Sequence, residues 1–201
     1  LLTSPCPNEG KTVTTLNLAI ALAQGGKRVL AIHADLRKGR CHQLLHRKNY
    51  RGLANVLTRD VDVKQVIQET SIKDFYLLPR GSLPPNPADL LMSQRMRDIL
   101  NELRTLFDFV VIDSPPIIAV SDAAVLSVLC DGVVLVFNGE KTTTPSARRA
   151  TERLDKVGAH ILGVILNAID IRDPEYLDYR SYYPSYYASI DEDSGSEFEK
   201  A

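Results

Sequence analysis

The chain of 201 residues lacks several features that would assign it at once to a class. Its three cysteines, Cys6, Cys41 and Cys130, are odd in number and widely spaced, which argues against a disulfide framework or a zinc site and favours a reducing cytosol. The net charge is only -1, so no basic excess indicates nucleic acid or an acidic membrane surface as a partner. No apolar run approaches the roughly 18 residues that a membrane span requires. No signal peptide is visible either.

Short apolar runs alternate with helical patterns along the chain. The runs are continuous, as in strands that are buried on both faces of a sheet. The alternation therefore predicts an α/β fold with a mostly parallel central sheet and helices on both faces. The predicted strands cover residues 1–4, 28–33, 75–78, 109–113, 132–137 and 161–166. Because the chain opens on what reads as the end of a strand, we expect the natural protein to continue upstream.

Two helices carry recognisable start signals. Asn86 precedes Pro87 and Thr144 precedes Pro145, which predicts an N-cap and a first-turn proline in both places. After Pro87, apolar residues keep helical spacing and predict one buried helical face. Its members are Met92, Met96, Ile99, Leu100 and Leu103.

The segment SPCPNEGKT, residues 4–12, ends like the phosphate-binding pattern G-x-x-x-x-G-K-[ST]. Gly10 would let the backbone approach a phosphate, Lys11 would place its charge beside the β and γ phosphates, and Thr12 would ligate Mg²⁺. Pro5 replaces the first glycine, but proline still favours a turn because it presets φ. Asn8 tolerates left-handed geometry. We expect nucleotide contacts from Pro7, Asn8, Glu9, Gly10, Lys11, Thr12 and Val13.

The strand in FDFVVIDSPP, residues 107–116, ends in Asp113. A carboxylate at the carboxyl edge of a parallel sheet faces the crevice where ligands bind. We expect Asp113 to hold Mg²⁺ through water, beside the phosphates.

A second strand end, in VLAIHADLRKGR at residues 29–40, carries His33, Asp35 and Arg37. Alternate residues of an extended segment point the same way, so His33 and Asp35 are both predicted to face the metal. His33 would either accept a proton from a hydroxyl nucleophile or be a buried, hydrogen-bonded residue without a chemical role. Arg37 is expected to pair with a carboxylate rather than with phosphate.

The composition becomes polar and then acidic after about Asp170. This part has too few aliphatic residues to form a core, so we predict a nucleotide-binding domain over residues 1–170 and a mobile tail over residues 171–201. The tail contains a tyrosine cluster: Tyr176, Tyr179, Tyr182, Tyr183, Tyr186 and Tyr187.

In combination, these motifs resemble the bacterial tyrosine kinases, cytoplasmic catalytic domains that work with polysaccharide co-polymerases. The resemblance covers nearly the whole chain and rests on GKT, ADLRK, VVIDSPP, the turn GSLPPNPADLL and the tyrosine cluster. It implies a P-loop NTPase fold and an ATP- and Mg²⁺-dependent tyrosine autokinase. Such an enzyme phosphorylates its C-terminal tyrosines in trans and regulates the polymerisation and export of exopolysaccharide or capsule.

The resemblance also implies roles for individual residues. Lys11, Asp35, Asp113 and His33 would be catalytic, and Thr12, Asp35 and Asp113 would hold the metal. The six tail tyrosines would be the phosphoacceptors. His33 stands where the family's D-x-D-x-R motif has its first aspartate, and a neutral histidine gives Mg²⁺ no negative charge. Adenine as the base is implied by the resemblance alone, and Asn167 would be its contact.

The partners follow from the resemblance as well. They would be further copies of the chain in a ring-like homo-oligomer, a membrane co-polymerase segment or activator chain, and a tyrosine phosphatase, with no nucleic acid. The chain, itself soluble, would act at the cytoplasmic face of the bacterial inner membrane.

Two other functions stay open at this point. One is an ATP-dependent positioning switch of the Min and Par type, although the lysine usual near the start of that group's phosphate loop is missing from residues 4–9. The other is a pseudokinase that binds nucleotide without transferring phosphate, for which His33 is the sole basis.

Overall fold

The structure, a computed structural model, describes residues 1–38, 41–58 and 61–169. They contain a seven-stranded sheet in the order β3-β4-β2-β5-β1-β6-β7, parallel except where β3 pairs with β4. The predicted α/β class and mostly parallel sheet are therefore confirmed. The strands are β1 Leu2–Thr3, β2 Val29–His33, β3 Gln68–Glu69, β4 Phe75–Leu78, β5 Phe109–Asp113, β6 Val133–Asn138 and β7 Ile161–Asn167.

Helices cover both faces of the sheet, as predicted, because its inner strands are apolar on both sides. On β2, Leu30 and Ile32 pack into one core cluster, whereas Val29 and Ala31 pack into the other. The helices are α1 Lys11–Gln24, α2 Cys41–Leu44, α3 Leu53–Thr58, α4 Pro87–Met92, α5 Gln94–Leu106, α6 Asp122–Ser127 and α7 Thr144–Asp155, with a 3₁₀ turn at Val63–Gln65. In the described part of the chain, no helix combines the length and apolarity needed to cross a membrane.

The apolar pattern that follows Pro87 is divided between two helices. Ser93 adopts extended backbone (φ -64°, ψ 155°) and caps α5, where its side-chain oxygen accepts a hydrogen bond from the amide of Met96. Met92 therefore ends α4 and is 61% exposed. The prediction that Met92 belongs to the buried face was wrong, because a cap residue interrupts the helical spacing between Met92 and Met96.

Both of the predicted helix caps differ in detail from the structure. Thr143, not Thr144, caps α7, and its hydroxyl accepts from the amide of Ser146. Asn86 does occupy the N-cap of α4, but its side chain makes no capping hydrogen bond.

The outer strands depart from the predicted pattern. In β7, Leu162, Val164 and Leu166 are exposed, so this strand is not buried on both faces as its continuous apolar sequence had predicted. It lies at one end of the sheet, where only alternate side chains face the core. The short antiparallel strand β3 at the other end was not predicted.

The sheet brings the two predicted acidic strand ends together. β5 lies between β2 and β1, and His33 is the register partner of Asp113. Leu2 in β1, just before the phosphate loop, is also paired with Asp113. The loop and both strand ends thus meet at one carboxyl edge. The predicted tail, residues 171–201, and its six tyrosines lie outside the described residues.

Candidate functional site

The phosphate loop between β1 and α1 is held by its own side chains. Asn8 and Gly10 both have left-handed backbone, with φ of 62° and 89°, as the sequence predicted for Asn8. The buried carboxylate of Glu9 accepts a hydrogen bond from the amide of Cys6 at 2.7 Å and one from the hydroxyl of Thr142. These two hydrogen bonds fix the loop from inside and stabilise its turn, although Pro5 replaces the usual glycine.

Asn167, at the end of β7, contacts this loop directly. Its side-chain amide donates to the carbonyl of Glu9 at 3.1 Å. The left-handed φ favours glycine at position 10, and a Cβ atom there would also displace the side-chain amide of Asn167. The role of Asn167 as a contact to the base stays a prediction.

Lys11, Thr12 and Asp113 line the crevice beside the loop. The hydroxyl of Thr12 donates to both carboxylate oxygens of Asp113, at 3.0 and 3.2 Å. Lys11 is only 9% exposed, and its ammonium makes no ion pair or hydrogen bond with any described residue. A hydroxyl and a carboxylate are the hard oxygen donors that Mg²⁺ binds, and a free ammonium suits phosphate, so these residues fit Mg-ATP. Pro7, Asn8 and Val13 are exposed at the rim.

Asp113 is buried in the crevice with its charge only partly compensated. Burial is the main reason why the pKa of Asp113 rises from 3.8 to about 6. The charge of Lys11 and the hydrogen bonds from Cys41 and Thr12 oppose that rise, and the charge of Asp35 adds to it. A buried carboxylate of this kind gains more from a bound dication than an exposed one does.

His33 is completely buried beside Asp113. Burial lowers the pKa of His33 from 6.5 to about 3; the charge of Asp35 opposes this, and Arg80 adds to it. The imidazole is therefore neutral near pH 7. Neither ring nitrogen has a hydrogen-bond partner among the described residues. The second interpretation expected His33 to be buried and hydrogen-bonded; it is buried, but that hydrogen bond is not found in the described residues.

Asp35 and Arg37 each make interactions of their own in the segment after β2. One oxygen of Asp35 accepts from the amides of Arg37 and Lys38, at 3.1 and 3.0 Å. Arg37 pairs through two hydrogen bonds with Asp122 at the start of α6, at 3.0 and 3.1 Å, as expected for a carboxylate partner. This pairing raises the pKa of Arg37 and ties the segment after β2 to α6.

Three residues that the sequence analysis did not assign to the site surround His33. Cys41 donates its S–H to Asp113 at 3.2 Å, and burial raises the pKa of its thiol well above 9.0. His42 stacks on His33 with a centroid distance of 6.0 Å. Arg80, two residues after β4, has a buried Nε without a hydrogen-bond partner in the described residues. The segment CHQLL after RKGR carried no motif that would have placed Cys41 and His42 there.

Comparison with known proteins agrees with this geometry. Residues 9–163 match the family model of an AAA domain, AAA_31. The tyrosine-protein kinase YwqD of Bacillus subtilis is 42% identical over 167 residues, which cover 83% of this chain and 70% of that protein. The tyrosine-protein kinase Wzc of Salmonella typhimurium is 39% identical over 94% of this chain. The chain spans about a quarter (26%) of the length of Wzc.

Solved structures agree with this family and with its fold. The kinase domain of the Escherichia coli tyrosine kinase ETK superposes with a TM-score of 0.81 at 38% identity, over 84% of this chain and 66% of that one. The septum site-determining protein MinD of Pyrococcus horikoshii, complexed with Mg-ADP, has a TM-score of 0.73 at 27% identity, over 87% of this chain and 73% of MinD. The chain has the P-loop NTPase fold and belongs to the bacterial tyrosine-protein kinases.

Proposed function

We propose that this chain binds Mg-ATP at the crevice of Lys11, Thr12 and Asp113 and phosphorylates the tyrosines of its own C-terminal segment in trans. The observation that carries the proposal is the bifurcated hydrogen bond from Thr12 to Asp113 beside a buried Lys11 whose ammonium has no partner in the described part of the chain. It joins the start of α1 to the end of β5, where a phosphate-bound metal ion would be held between a hydroxyl and a carboxylate.

Each residue of the crevice has a distinct task in this proposal. The backbone around Gly10 and the first turn of α1 offer amides to the phosphates, and Lys11 offsets their charge. Thr12 and Asp113 would hold Mg²⁺, which neutralises charge that develops on the transferred phosphoryl group. The remaining loop residues shape the loop and bring no charge to the phosphates: Pro7, Asn8, Glu9 and Val13. Glu9 is the charged one among them, and its carboxylate already accepts hydrogen bonds from Cys6 and Thr142.

Asp35 is the stronger candidate for accepting the proton of the tyrosine hydroxyl. Its Oδ1 is held by two amides, while Oδ2 accepts no hydrogen bond from the described residues. His33 is the poorer candidate because it is completely buried, so no part of it reaches solvent. We therefore assign proton transfer to Asp35 Oδ2 and exclude His33 from that step, although the family resemblance had placed His33 among the catalytic residues.

Phosphorylation of the tail gives a physical route to regulation. Six phosphotyrosines at roughly -1.5 to -2 each would add about -9 to -12 of charge beside Asp191, Glu192 and Asp193. That charge would repel the tails and carboxylate-lined sites of neighbouring copies and disperse a ring-like assembly. In this way the kinase would control capsule or exopolysaccharide export at the inner membrane, together with a co-polymerase segment or activator chain and a tyrosine phosphatase.

A mixing experiment with mass spectrometry tests both the activity and its direction. An acceptor chain carrying Lys11→Met is incubated with Mg-ATP and a donor chain in which all six tail tyrosines are phenylalanine. We expect phosphotyrosine on residues 176–187 of the acceptor only when the donor is present. Each chain incubated alone is the control.

The alternatives predict other results. Tight binding of Mg-ATP without phosphotyrosine on any chain would refute the kinase proposal and favour the pseudokinase. Hydrolysis that DNA or lipid strongly stimulates, again without phosphotyrosine, would favour the Min and Par type of switch.

A further inference from the structure

Three different metal-binding side chains meet beneath the crevice. His33, Cys41 and Asp113 are all buried, and each offers a ligand atom within 4.8 Å of the other two. Cys41 Sγ lies 3.2 Å from Asp113 Oδ2. In a tetrahedral zinc site, bond lengths of about 2.0–2.3 Å place ligand atoms roughly 3.3–3.6 Å apart. The three side chains therefore need to move little to share one ion.

The imidazole of His33 is an independent indication of a missing ligand. Its ring is 0% exposed, and within residues 1–38, 41–58 and 61–169 neither nitrogen has a hydrogen-bond partner. Buried polar atoms in proteins are nearly always paired, and an orphaned one costs about 1–3 kcal/mol. A metal ion bound to the unprotonated nitrogen would satisfy that nitrogen and so remove its share of the cost.

We propose that His33, Cys41 and Asp113 form a binding site for a transition-metal dication of the Zn²⁺ class, although the wide spacing of the cysteines along the sequence had argued against a zinc site. Imidazole nitrogen and thiolate sulfur select Zn²⁺ and related ions, whereas Mg²⁺ takes oxygen ligands. The Cys41 thiol releases its proton to solvent when the sulfur–metal bond forms. Three protein ligands leave a fourth position for water.

This site shares Asp113 with the proposed nucleotide site. Asp113 Oδ2 accepts hydrogen bonds from both Thr12 and Cys41, so a transition metal bound to this oxygen beside Cys41 would compete with Mg²⁺ beside Thr12. The transition metal would therefore inhibit loading of Mg-ATP. This consequence, unlike the metal site itself, rests on the proposed function.

Titration of the metal-stripped full chain with Co²⁺ tests the site directly. Coordination by thiolate gives a charge-transfer band in the near ultraviolet, and we expect it to saturate at one Co²⁺ per chain. Cys41→Ser should abolish the band, and His33→Asn should weaken Zn²⁺ affinity at least tenfold in competition with a chromogenic chelator. Cys6→Ser and Cys130→Ser are matched controls that should keep both signals within twofold.

Wild-type protein also allows a test that needs no variant. X-ray absorption of the chain loaded with one Zn²⁺ should show one sulfur in the first coordination shell. A shell of oxygen and nitrogen alone would overturn the proposal. The proposed metal site would also be refuted if the Co²⁺ band persisted in Cys41→Ser, or if it disappeared equally in Cys130→Ser.

Kinase assays separate this inference from the proposed function. We expect Zn²⁺ to inhibit phosphotyrosine formation in the wild type, with at least tenfold weaker inhibition in Cys41→Ser. A sulfur-bound metal in a chain without kinase activity would leave the metal site standing and refute the proposed function. An active kinase that binds no Co²⁺ through sulfur would refute the metal site and leave the proposed function standing.

Discussion

Replacing Asp113 by asparagine is expected to stabilise the metal-free protein while it removes the proposed metal ligand. The carboxylate is buried, and its pKa is raised from 3.8 to about 6, so near pH 7 the folded protein carries a charge that its surroundings disfavour. Asparagine has nearly the same shape and no charge. Such opposition between stability and function is common where a site must hold a charged ligand.

The size of the effect follows from the two pKa values. Folding raises the pKa of Asp113 from 3.8 to about 6. The stability that the protonated carboxyl group contributes is therefore fully present below pH 3.8 and is lost as the pH rises to about 6. At about 1.36 kcal/mol per pH unit, the loss amounts to ~3 kcal/mol. Asp113→Asn should therefore gain up to about 3 kcal/mol at pH 7 and almost nothing at pH 4, relative to wild type. For a chain of this size, the gain corresponds to roughly 2–4 °C in Tm per kcal/mol.

Urea unfolding in EDTA at pH 7 and pH 4 measures this difference, with Asp122→Asn as the matched control. Asp122 is also buried, but it makes two hydrogen bonds to Arg37. Its replacement should destabilise the fold by about 1–3 kcal/mol, since it leaves the half-exposed Arg37 without its carboxylate. If Asp113→Asn were no more stable than wild type at pH 7, or gained equally at pH 4, the burial argument would be refuted.

Three further substitutions test separate parts of the structure. His33→Asp restores a charge beside the metal and should raise tyrosine phosphorylation at least tenfold, about 1.4 kcal/mol of barrier, by quantitative mass spectrometry; an unchanged rate would contradict this. Gly10→Ala should weaken Mg-ATP binding at least tenfold in calorimetry, because alanine is strained at the left-handed φ and its Cβ would displace the Asn167 amide that contacts the loop; wild-type affinity would refute this reasoning. Ser93→Ala should lower the free energy of unfolding by about 1 kcal/mol through loss of the α5 cap, with Mg-ATP affinity unchanged; no loss of stability would show that the cap contributes nothing.

The sequence was sufficient to predict the inner strands and the place of the site. β4 and β5 have the predicted bounds because their continuous apolar runs pack into the core on both faces of the sheet, with only Phe109 at the start of β5 exposed among their residues. Asp113 ends its strand beside the phosphate loop, as predicted, because parallel strands bring their carboxyl ends to one edge.

Features that depend on tertiary contacts could not be predicted in this way. Ser93 separates α4 from α5 because its side chain caps the start of α5. The apolar spacing of Met92 and Met96 gives no sign of this break, since it fits one continuous helix. The two-residue strand β3 is polar and gains its conformation from pairing with β4. Cys41 comes eight positions after His33 in the sequence, and no spacing rule indicates that both reach Asp113.

Calorimetric titration with Mg-ATP tests the central claim most directly, because every proposed role of the crevice depends on a bound triphosphate. The metal-stripped wild-type chain should bind one Mg-ATP with measurable heat, and Lys11→Met should give none under the same conditions. A wild-type chain that produces no heat of binding, or a Lys11→Met chain that binds as tightly as wild type, would contradict the account.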